Sequence, residues 1–324
     1  MIHYCTYFDR NFLTRALALY QSLVRHSPPF TLWALCLDDE AYQTLEALHL
    51  EGIRTIRLSE LEAADPELAA VKDSRSAVEY YFTCSPSLPR FLFQREGGID
   101  LVTYLDADLM FYSSPGPIFD ELGAGSVLIV PHRFPESLKH LEMYGTYNVG
   151  LLMFRNDERG LAVLNRWREQ CLEWCFDRVE DGRFADQRYL DSWPGLPGVV
   201  ALEHPGAGLA PWNFMRYRID LGVDPPRVDG RSLIFYHFQS VKEIRPGLWD
   251  IGLDKYAPMD RELRAWLYRG YLRELRSASR RLASLGSGTA PSASSIRQGR
   301  STWRQVVRRV RLGQVIFSIG VADR

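Results

Sequence analysis

The chain contains no apolar run approaching the roughly 20 residues that a membrane-spanning helix requires, so none is expected. Its first residues lack a basic stretch followed by an apolar one. No secretory signal is therefore expected, and the cytoplasm is the expected compartment. Cysteine is scarce and odd in number: Cys5, Cys36, Cys84, Cys171 and Cys175. Five scattered thiols do not make a disulfide framework. Cys171 and Cys175 are four apart on an expected helix, but lack the His or Cys partners of a zinc set. Internal repeats are absent. Glycine is missing from Asp9-Arg10-Asn11-Phe12-Leu13, the segment after the first expected strand.

Charge is unevenly spread. Residues 1–260 carry 25 Lys+Arg against 37 Asp+Glu, whereas residues 261–311 carry 13 Arg against Glu262 and Glu274. The acidic body argues against a nucleic-acid surface, and the basic end admits a phosphate-rich partner.

Alternation of apolar strands and amphipathic helices organises the first 60 residues. Ile2–Phe8 and Thr31–Leu37 read as strands, with a third at Ile53–Leu58. Asn11–His26 reads as a helix whose face is Leu13, Leu17, Tyr20, Leu23 and Val24. The pattern is β-α-β-α-β, which predicts an α/β fold with a mainly parallel sheet covered on both faces. Residues 74–95 read as helix interrupted at Ser85-Pro86-Ser87-Leu88-Pro89. Strands are expected at Leu101–Leu105, Val127–Val130 and Val149–Phe154, then a helix from about Arg159 to Arg178. Short strands follow near Val199–Leu202 and Leu233–Phe238. Residues 204–230, rich in Gly, Pro, Trp and Asn, read as a functional loop. The expected divisions are one domain over 1–259, a basic helix over 260–283, a linker over 284–301 and a basic amphipathic segment over 302–324.

Asp106 and Asp108 stand two apart at the carboxyl end of the strand Val102-Thr103-Tyr104-Leu105. Ligands of open α/β sheets bind at that edge. Carboxylates at i and i+2 can converge on a hard cation where the strand leaves its pleat. Mg²⁺ or Mn²⁺ accepts one or two carboxylates and fills its other positions with phosphate oxygens. The alternative is a polar turn closing a strand. His237, at the end of a later strand, offers a neutral imidazole as third ligand or is a packed strand-end histidine. Asp186-Gln187 begins an expected helix, where an N-cap is the simpler role.

Taken in order, Tyr104-Leu105-Asp106-Ala107-Asp108, Tyr147-Asn148-Val149-Gly150-Leu151-Leu152, Asp186-Gln187 and His237-Phe238-Gln239-Ser240-Val241-Lys242 resemble a known family. They are similar to the metal-dependent glycosyltransferases of the nucleotide-diphospho-sugar transferase superfamily, in particular the group of glycogenin and the bacterial lipopolysaccharide galactosyltransferases. The resemblance covers about residues 1–250. It implies a single Rossmann-like nucleotide-binding domain of the glycosyltransferase A type, here with a basic helical C-terminal extension. It implies metal ligation by Asp106, Asp108 and His237, and nucleoside binding by Thr6, Tyr7 and Asp9. Arg90, Ala107 and Gly150 fall at donor-site positions, with Gly150 needed for close backbone approach. Asn148, Asp186 and Gln187 match the residues set around the sugar, and Lys242 the lysine on the diphosphate. The family pattern is His-Phe-x-Gly-x-x-Lys; here Ser240 replaces the glycine, the lysine comes one residue early, and Arg245 is an alternative to it. In the loop His204–Asn213, Trp212 offers a flat face for a sugar or is a packed core residue, and Asn213 offers an amide for hydroxyls.

The resemblance implies transfer of a hexose, with retention, from a UDP-sugar in the presence of Mn²⁺ or Mg²⁺. A glycan or lipid-linked molecule is the implied acceptor. A sugar-phosphate nucleotidyltransferase shares the fold and metal chemistry, but its glycine-rich loop has no counterpart after the first strand here. A non-catalytic sugar-nucleotide binder is the other alternative. Thr302–Val321, with Arg304, Arg308, Arg309 and Arg311 among Trp303, valines and Phe317, suits the anionic inner face of a membrane, or packs as a helix on the body or another subunit.

Overall fold

The computed structural model describes residues 1–245, 247–285 and 315–317. The main sheet has seven strands: β1 (Ile2–Phe8), β2 (Phe30–Cys36), β3 (Ile53–Arg57), β4 (Leu101–Leu105), β6 (Val127–Pro131), β7 (Tyr147–Arg155) and β8 (Val199–Ala201), in the order β3-β2-β1-β4-β7-β6-β8. β7 alone runs antiparallel, pairing with β4 on one side and β6 on the other. The mainly parallel α/β sheet expected from the alternating pattern is thus present. Its order reverses beside β1, where β2 lies on one side and β4 on the other. Such a reversal opens a crevice at the carboxyl ends of the strands.

Alternation along each strand divides the core between the two faces. Cys5, Leu35, Val102, Tyr104, Leu152 and Phe154 face α5 (Ala77–Arg95) and α7 (Glu158–Glu173). Tyr4, Leu32, Leu105, Leu151 and Met153 face the other way, towards Leu19 and Leu23 of α1 (Leu13–His26). α2 (Asp39–Ala47) follows β2 and is capped by the Asp38 carboxylate, which accepts from Ala41 N. The short helices α3 (Leu58–Ala64), α4 (Pro66–Val71) and α6 (Gly116–Leu122) complete the cover.

Two expectations are corrected here. α5 is not interrupted; it runs through Pro86 and Pro89. Proline in a helix interior removes a hydrogen bond and costs about 3 kcal/mol. Cys84, Leu88 and Leu92, fully buried against the sheet and α7, offset that loss. A capping box also starts the helix: Ser76 N donates to Glu79 Oε2 at 2.8 Å. α7, expected to reach Arg178, stops at Glu173, with Trp174 extended as its cap. Cys171 is therefore helical and Cys175 is not, and all five cysteines are buried free thiols.

A second small sheet positions the site. β5 (Leu109–Phe111), β9 (Ala207–Leu209) and β13 (Phe235–His237) form the order β5-β13-β9, with β13 antiparallel to β5 and parallel to β9. β5 begins directly after Asp108, so this sheet hangs from the carboxyl edge of β4. β10 (Ile219–Asp220), β11 (Arg227–Val228) and β12 (Arg231–Ser232) form a peripheral meander, the first two within the expected 204–230 loop and β12 just beyond it. α8 (Arg261–Ser284) is the expected basic helix. Its buried face, Leu263, Leu267, Tyr271 and Leu275, packs on Phe238 and Val241, while Arg269, Arg273 and Arg280 are exposed. β14 (Lys242–Arg245) and β15 (Leu248–Asp250) form a hairpin to which β16 (Val315–Phe317) adds an antiparallel strand. Apart from these three residues, the expected basic segment over 302–324 lies outside the described residues, as does most of the expected linker over 284–301. Among the described residues no helix is long and apolar enough to cross a membrane.

Candidate active site

Asp106 sits at the first residue after β4. Its N–H donates to Gly150 O of antiparallel β7 at 2.9 Å, which holds the chain where it turns out of the sheet. Tyr104 OH donates to Asp106 Oδ1 at 2.8 Å. Ala107 turns the opposite way and packs with Phe8, Leu13 and Ala34. That alternation sends both carboxylates to the same side. Asp108 is fixed through its backbone, whose carbonyl accepts from Phe238 N at 3.0 Å. The same ladder brings in His237: Nε2 lies 3.1 Å from Asp108 Oδ1 and 3.7 Å from Asp106 Oδ2. One ligand atom from each of the three residues falls within 4.8 Å of the others. Two carboxylates and an imidazole suit a hard or borderline divalent cation, so the donor set fits the expected metal.

Electrostatics separate the members of this group. Burial pushes Asp106 up, and Asp108 adds to that against the opposing pull of His237 and Tyr104. Burial pushes Asp108 up as well, but His237 and the more distant Arg15 outweigh it and hold Asp108 below the usual carboxylate range. His237 is drawn down by burial and raised by Asp108 and Asp106, which prevail. A divalent cation held here would require His237 as the neutral imidazole.

Gly150 explains how β7 approaches so closely. A Cβ there would lie 2.5 Å from Asn148 Oδ1 and 2.9 Å from the His237 ring. Asn148 Oδ1 accepts from Gly150 N at 2.8 Å, and Asn148 Nδ2 donates to Gln187 Oε1 at 3.3 Å. Gln187 in turn donates to Tyr144 O. His132 Nε2 lies 3.3 Å from Asn148 Nδ2. Burial pulls His132 down to about 3, so its ring is neutral.

Asp186 is 4% exposed and lies behind the carboxylate pair. Burial pushes its carboxyl up to about 7, Ser85 opposes through a hydrogen bond, and the Asp106 charge adds to the rise. It does not cap a helix: Gln187 precedes the short 3-10 turn Arg188–Ser192, and Asp186 O accepts from Trp167 Nε1 at 2.8 Å. Tyr7 reaches the same cluster, its hydroxyl 3.1 Å from Ser85 Oγ and its ring tilted on Tyr104. Burial and the Asp186 and Asp106 charges hold Tyr7 well above the ordinary phenol value, so it remains a neutral hydroxyl.

The other expected residues are placed as follows. Thr6 is fully buried in β1. Asp9 accepts from Asn11 N at 3.0 Å and caps the turn into α1. Arg90 faces α7, donating to Asn165 Oδ1 at 3.1 Å. Trp212 is buried, its ring edge-on to His237 at 5.2 Å, and it lines a small cavity with Asn148, Gly208, Phe235 and His237. Asn213 is buried and engaged by its own loop, donating to His132 O and Gly208 O. Lys242 Nζ lies 4.0 Å from Asp250 Oδ2 across the β14–β15 hairpin.

No family model matches the chain. It is 32% identical over 257 residues to the uncharacterized protein YfnF of Bacillus subtilis (strain 168), covering 75% of this chain and 84% of YfnF. It is 30% identical over 240 residues to YfnD of the same organism, also an uncharacterized protein, covering 73% of this chain and 76% of YfnD. The chain belongs to the family of YfnF and YfnD. Among solved structures it is similar to mouse xyloside xylosyltransferase 1 in the apo form, with 12% identity and a TM-score of 0.49 over 74% of this chain and 98% of that one. It is also similar to the galactosyltransferase LgtC in complex with donor and acceptor sugar analogues, with 18% identity and a TM-score of 0.48 over 85% of this chain and 96% of that one.

In this relative of YfnF and YfnD, sequence reading missed four contributors. Tyr104, in the expected strand, and Ser85, at the expected break in the helix, carry hydroxyls to Asp106 and Asp186. Arg15 acts on Asp108 from α1. Tyr271 of α8 stacks on Phe238, the residue after His237, with ring centroids 3.8 Å apart. Only Arg15 carried a signal in the sequence, as the one cation in the first turns of an otherwise apolar helix.

Proposed function

We propose that this chain is a metal-dependent glycosyltransferase that moves a hexose from a UDP-sugar to a glycan or lipid-linked acceptor, with retention at the anomeric carbon. One observation carries the reading: ligand atoms of Asp106, Asp108 and His237 lie within 4.8 Å of one another at the carboxyl edge of a mainly parallel sheet. The order and character of the surrounding residues, Asn148-x-Gly150 and Asp186-Gln187, support it.

Asp106, Asp108 and His237 would hold Mn²⁺ or Mg²⁺, which would supply positive charge against the departing diphosphate. The chain's own residues do the rest. Tyr104 fixes the Asp106 carboxylate, leaving Oδ2 turned to His237. Asn148, locked between Gly150 N and Gln187, presents an oriented amide beside His237. Thr6, Tyr7 and Asp9, at the end of β1, lie at the sheet reversal where a nucleoside is held. Asp186 and Gln187 orient sugar hydroxyls. The buried Asp186 carboxyl, held near neutrality, donates or accepts a hydrogen bond according to its partner.

The reading extends to location: the body works at the inner face of a membrane, held there by residues 302–324. Liposome cosedimentation with and without those residues tests that part, and equal partitioning ends it.

The test of the activity begins with a thermal-shift screen of sugar nucleotides with Mn²⁺, because a ligand of the folded state raises the melting temperature. Hydrolysis of the best donor is then followed in the parent chain, Asp106→Ala and Asp108→Ala. Both variants should lose metal-dependent turnover. Full activity in either removes the metal assignment. Diphosphate release from a nucleoside triphosphate and a sugar phosphate would instead indicate a nucleotidyltransferase.

A further inference from the structure

Arg15 is a half-buried cation on the first turn of α1. Its guanidinium lies 4.5 Å above the Phe12 ring centroid. Nη1 donates to Asn11 O at 3.2 Å and Nη2 to Val241 O at 2.6 Å. Both acceptors are neutral carbonyls. Arg10 pairs with Glu40, Arg25 with Glu274, and Lys242 faces Asp250. Among the described residues Arg15 makes no ion pair.

Its placement follows from the backbone around the metal ligands. Asp108 O accepts from Phe238 N, Phe238 O accepts from Val241 N at 3.4 Å, and Val241 O accepts from Arg15. The guanidinium is thereby fixed on the turn that follows His237, and its charge is felt at Asp108. A partly desolvated cation held by two carbonyls and an aromatic face, with no charged partner among the described residues, is costly unless an anion completes it. Two of its five N–H groups are engaged by those carbonyls, and its planar fork matches phosphate oxygens.

The charge balance of the site calls for such a group. Two carboxylates and a neutral imidazole cancel the charge of a divalent cation. A sugar-linked diphosphate carries two negative charges and gains a third as the C1–O bond breaks and its electron pair goes to the phosphate oxygen. The metal centre alone leaves that charge uncompensated.

We propose that Arg15 binds the donor diphosphate, supplying the positive charge that the metal and its two carboxylates leave lacking. This rests on the nucleotide-sugar reading above. Arg15 stays protonated throughout and transfers nothing.

Calorimetric titration of the full chain tests it, with UDP, UMP and uridine in the presence of Mn²⁺ and with Mn²⁺ alone. Arg15→Met should weaken UDP binding by about 10-fold or more, from the loss of charge-assisted hydrogen bonds. UMP should lose less, and uridine and Mn²⁺ should be unchanged. Arg15→Lys should recover part of the UDP affinity. Parent-like UDP binding by Arg15→Met overturns the proposal and leaves the nucleotide-sugar reading intact. Equal losses for UDP and uridine also overturn it, because Arg15 would then only tie α1 to the turn. If the parent chain binds none of the three nucleotides, both readings fall. Should Arg15→Met not fold, Arg15→Gln, which keeps a donor for Val241 O, is judged by the same criteria.

Discussion

Gly150 and His237 are packed so closely that no side chain fits between them. A methyl group on Gly150 would meet the imidazole at 2.9 Å and the Asn148 amide oxygen at 2.5 Å. Both contacts are shorter than van der Waals separation, so one partner has to move. Gly150→Ala should displace His237 and weaken Mn²⁺ binding by about 10-fold or more, the scale found when a ligand's support is disturbed. The overpacking should cost about 1–3 kcal/mol of stability. Paramagnetic titration of Mn²⁺ alongside urea unfolding checks both numbers. Unaltered metal affinity would count against His237 as a ligand.

Asp186 gives a pH signature. Its carboxyl is pushed up to about 7 from an ordinary 3.8. The folded state therefore binds this proton more tightly than the unfolded chain. Its contribution is complete below about pH 4 and is lost as pH rises to about 7. Asp186→Asn should raise the melting temperature at pH 8, where the parent carries a buried charge, and should give no gain at pH 4. A parallel shift at both pH values would show that the environment of Asp186 does not favour its neutral form.

Asp65 joins three helices through one ion pair. Arg168 Nε donates to Asp65 Oδ2 at 2.7 Å, Arg168 Nη2 to Asp65 Oδ1, and Ser87 Oγ adds a bond at 3.1 Å. Both side chains are largely buried, at 10% and 4% exposure. Removing one partner strands the other, so Asp65→Ala should cost about 3 kcal/mol or more in urea unfolding. Burial raises the Asp65 carboxyl, but Arg168, Leu68 N and Ser87 overcome it and hold Asp65 low. Its stabilisation is present above the ordinary carboxylate value and disappears as pH falls through the lowered one. The deficit of the variant should accordingly shrink in acid, and a deficit independent of pH would argue that the pair is not charged.

Ser240 stands where the resemblance calls for glycine, and it adopts the conformation glycine would. Its φ is +65°, in the left-handed region that costs an ordinary residue about 1–2 kcal/mol. Ser240→Gly should therefore raise stability, partly offset by the greater freedom of glycine in the unfolded chain. A gain of about 0.5–1 kcal/mol in chemical unfolding is expected. Donor binding should not fall.

Much of the main sheet was legible because its strands are apolar and its helices amphipathic. β4 and its two acids were readable for the same reason. Of the small sheet that delivers His237, the strand near Leu233–Phe238 was readable as β13, but β5 and β9 were not. β5 and β9 are three residues each, too short for a period, and β5 pairs with β13 across more than 100 positions. α5 was misread because its prolines act locally, whereas its stability comes from burial. The buried state of Asp186 was hidden because Tyr7, Ser85 and Tyr104 converge on it from separate elements. Arg15 stood out as a cation on an apolar helix, but its partner was hidden likewise: Val241 lies 226 residues away.

The reversed direction of β7 has a consequence for where the chain tolerates insertions. A parallel strand presents its last residues to the ligand edge, but β7 presents its first, Asn148 and Gly150. The segment that enters β7, residues 132–146, is therefore a neighbour of the chemistry. The turn that leaves it, residues 156–157, lies at the opposite end of the sheet. Added length in the exit turn should pass unnoticed by the donor site, while added length in the entry segment would slide Asn148 away from His237. Among homologues, variation in loop length on this strand should be lopsided, crowded at its end and scarce at its beginning.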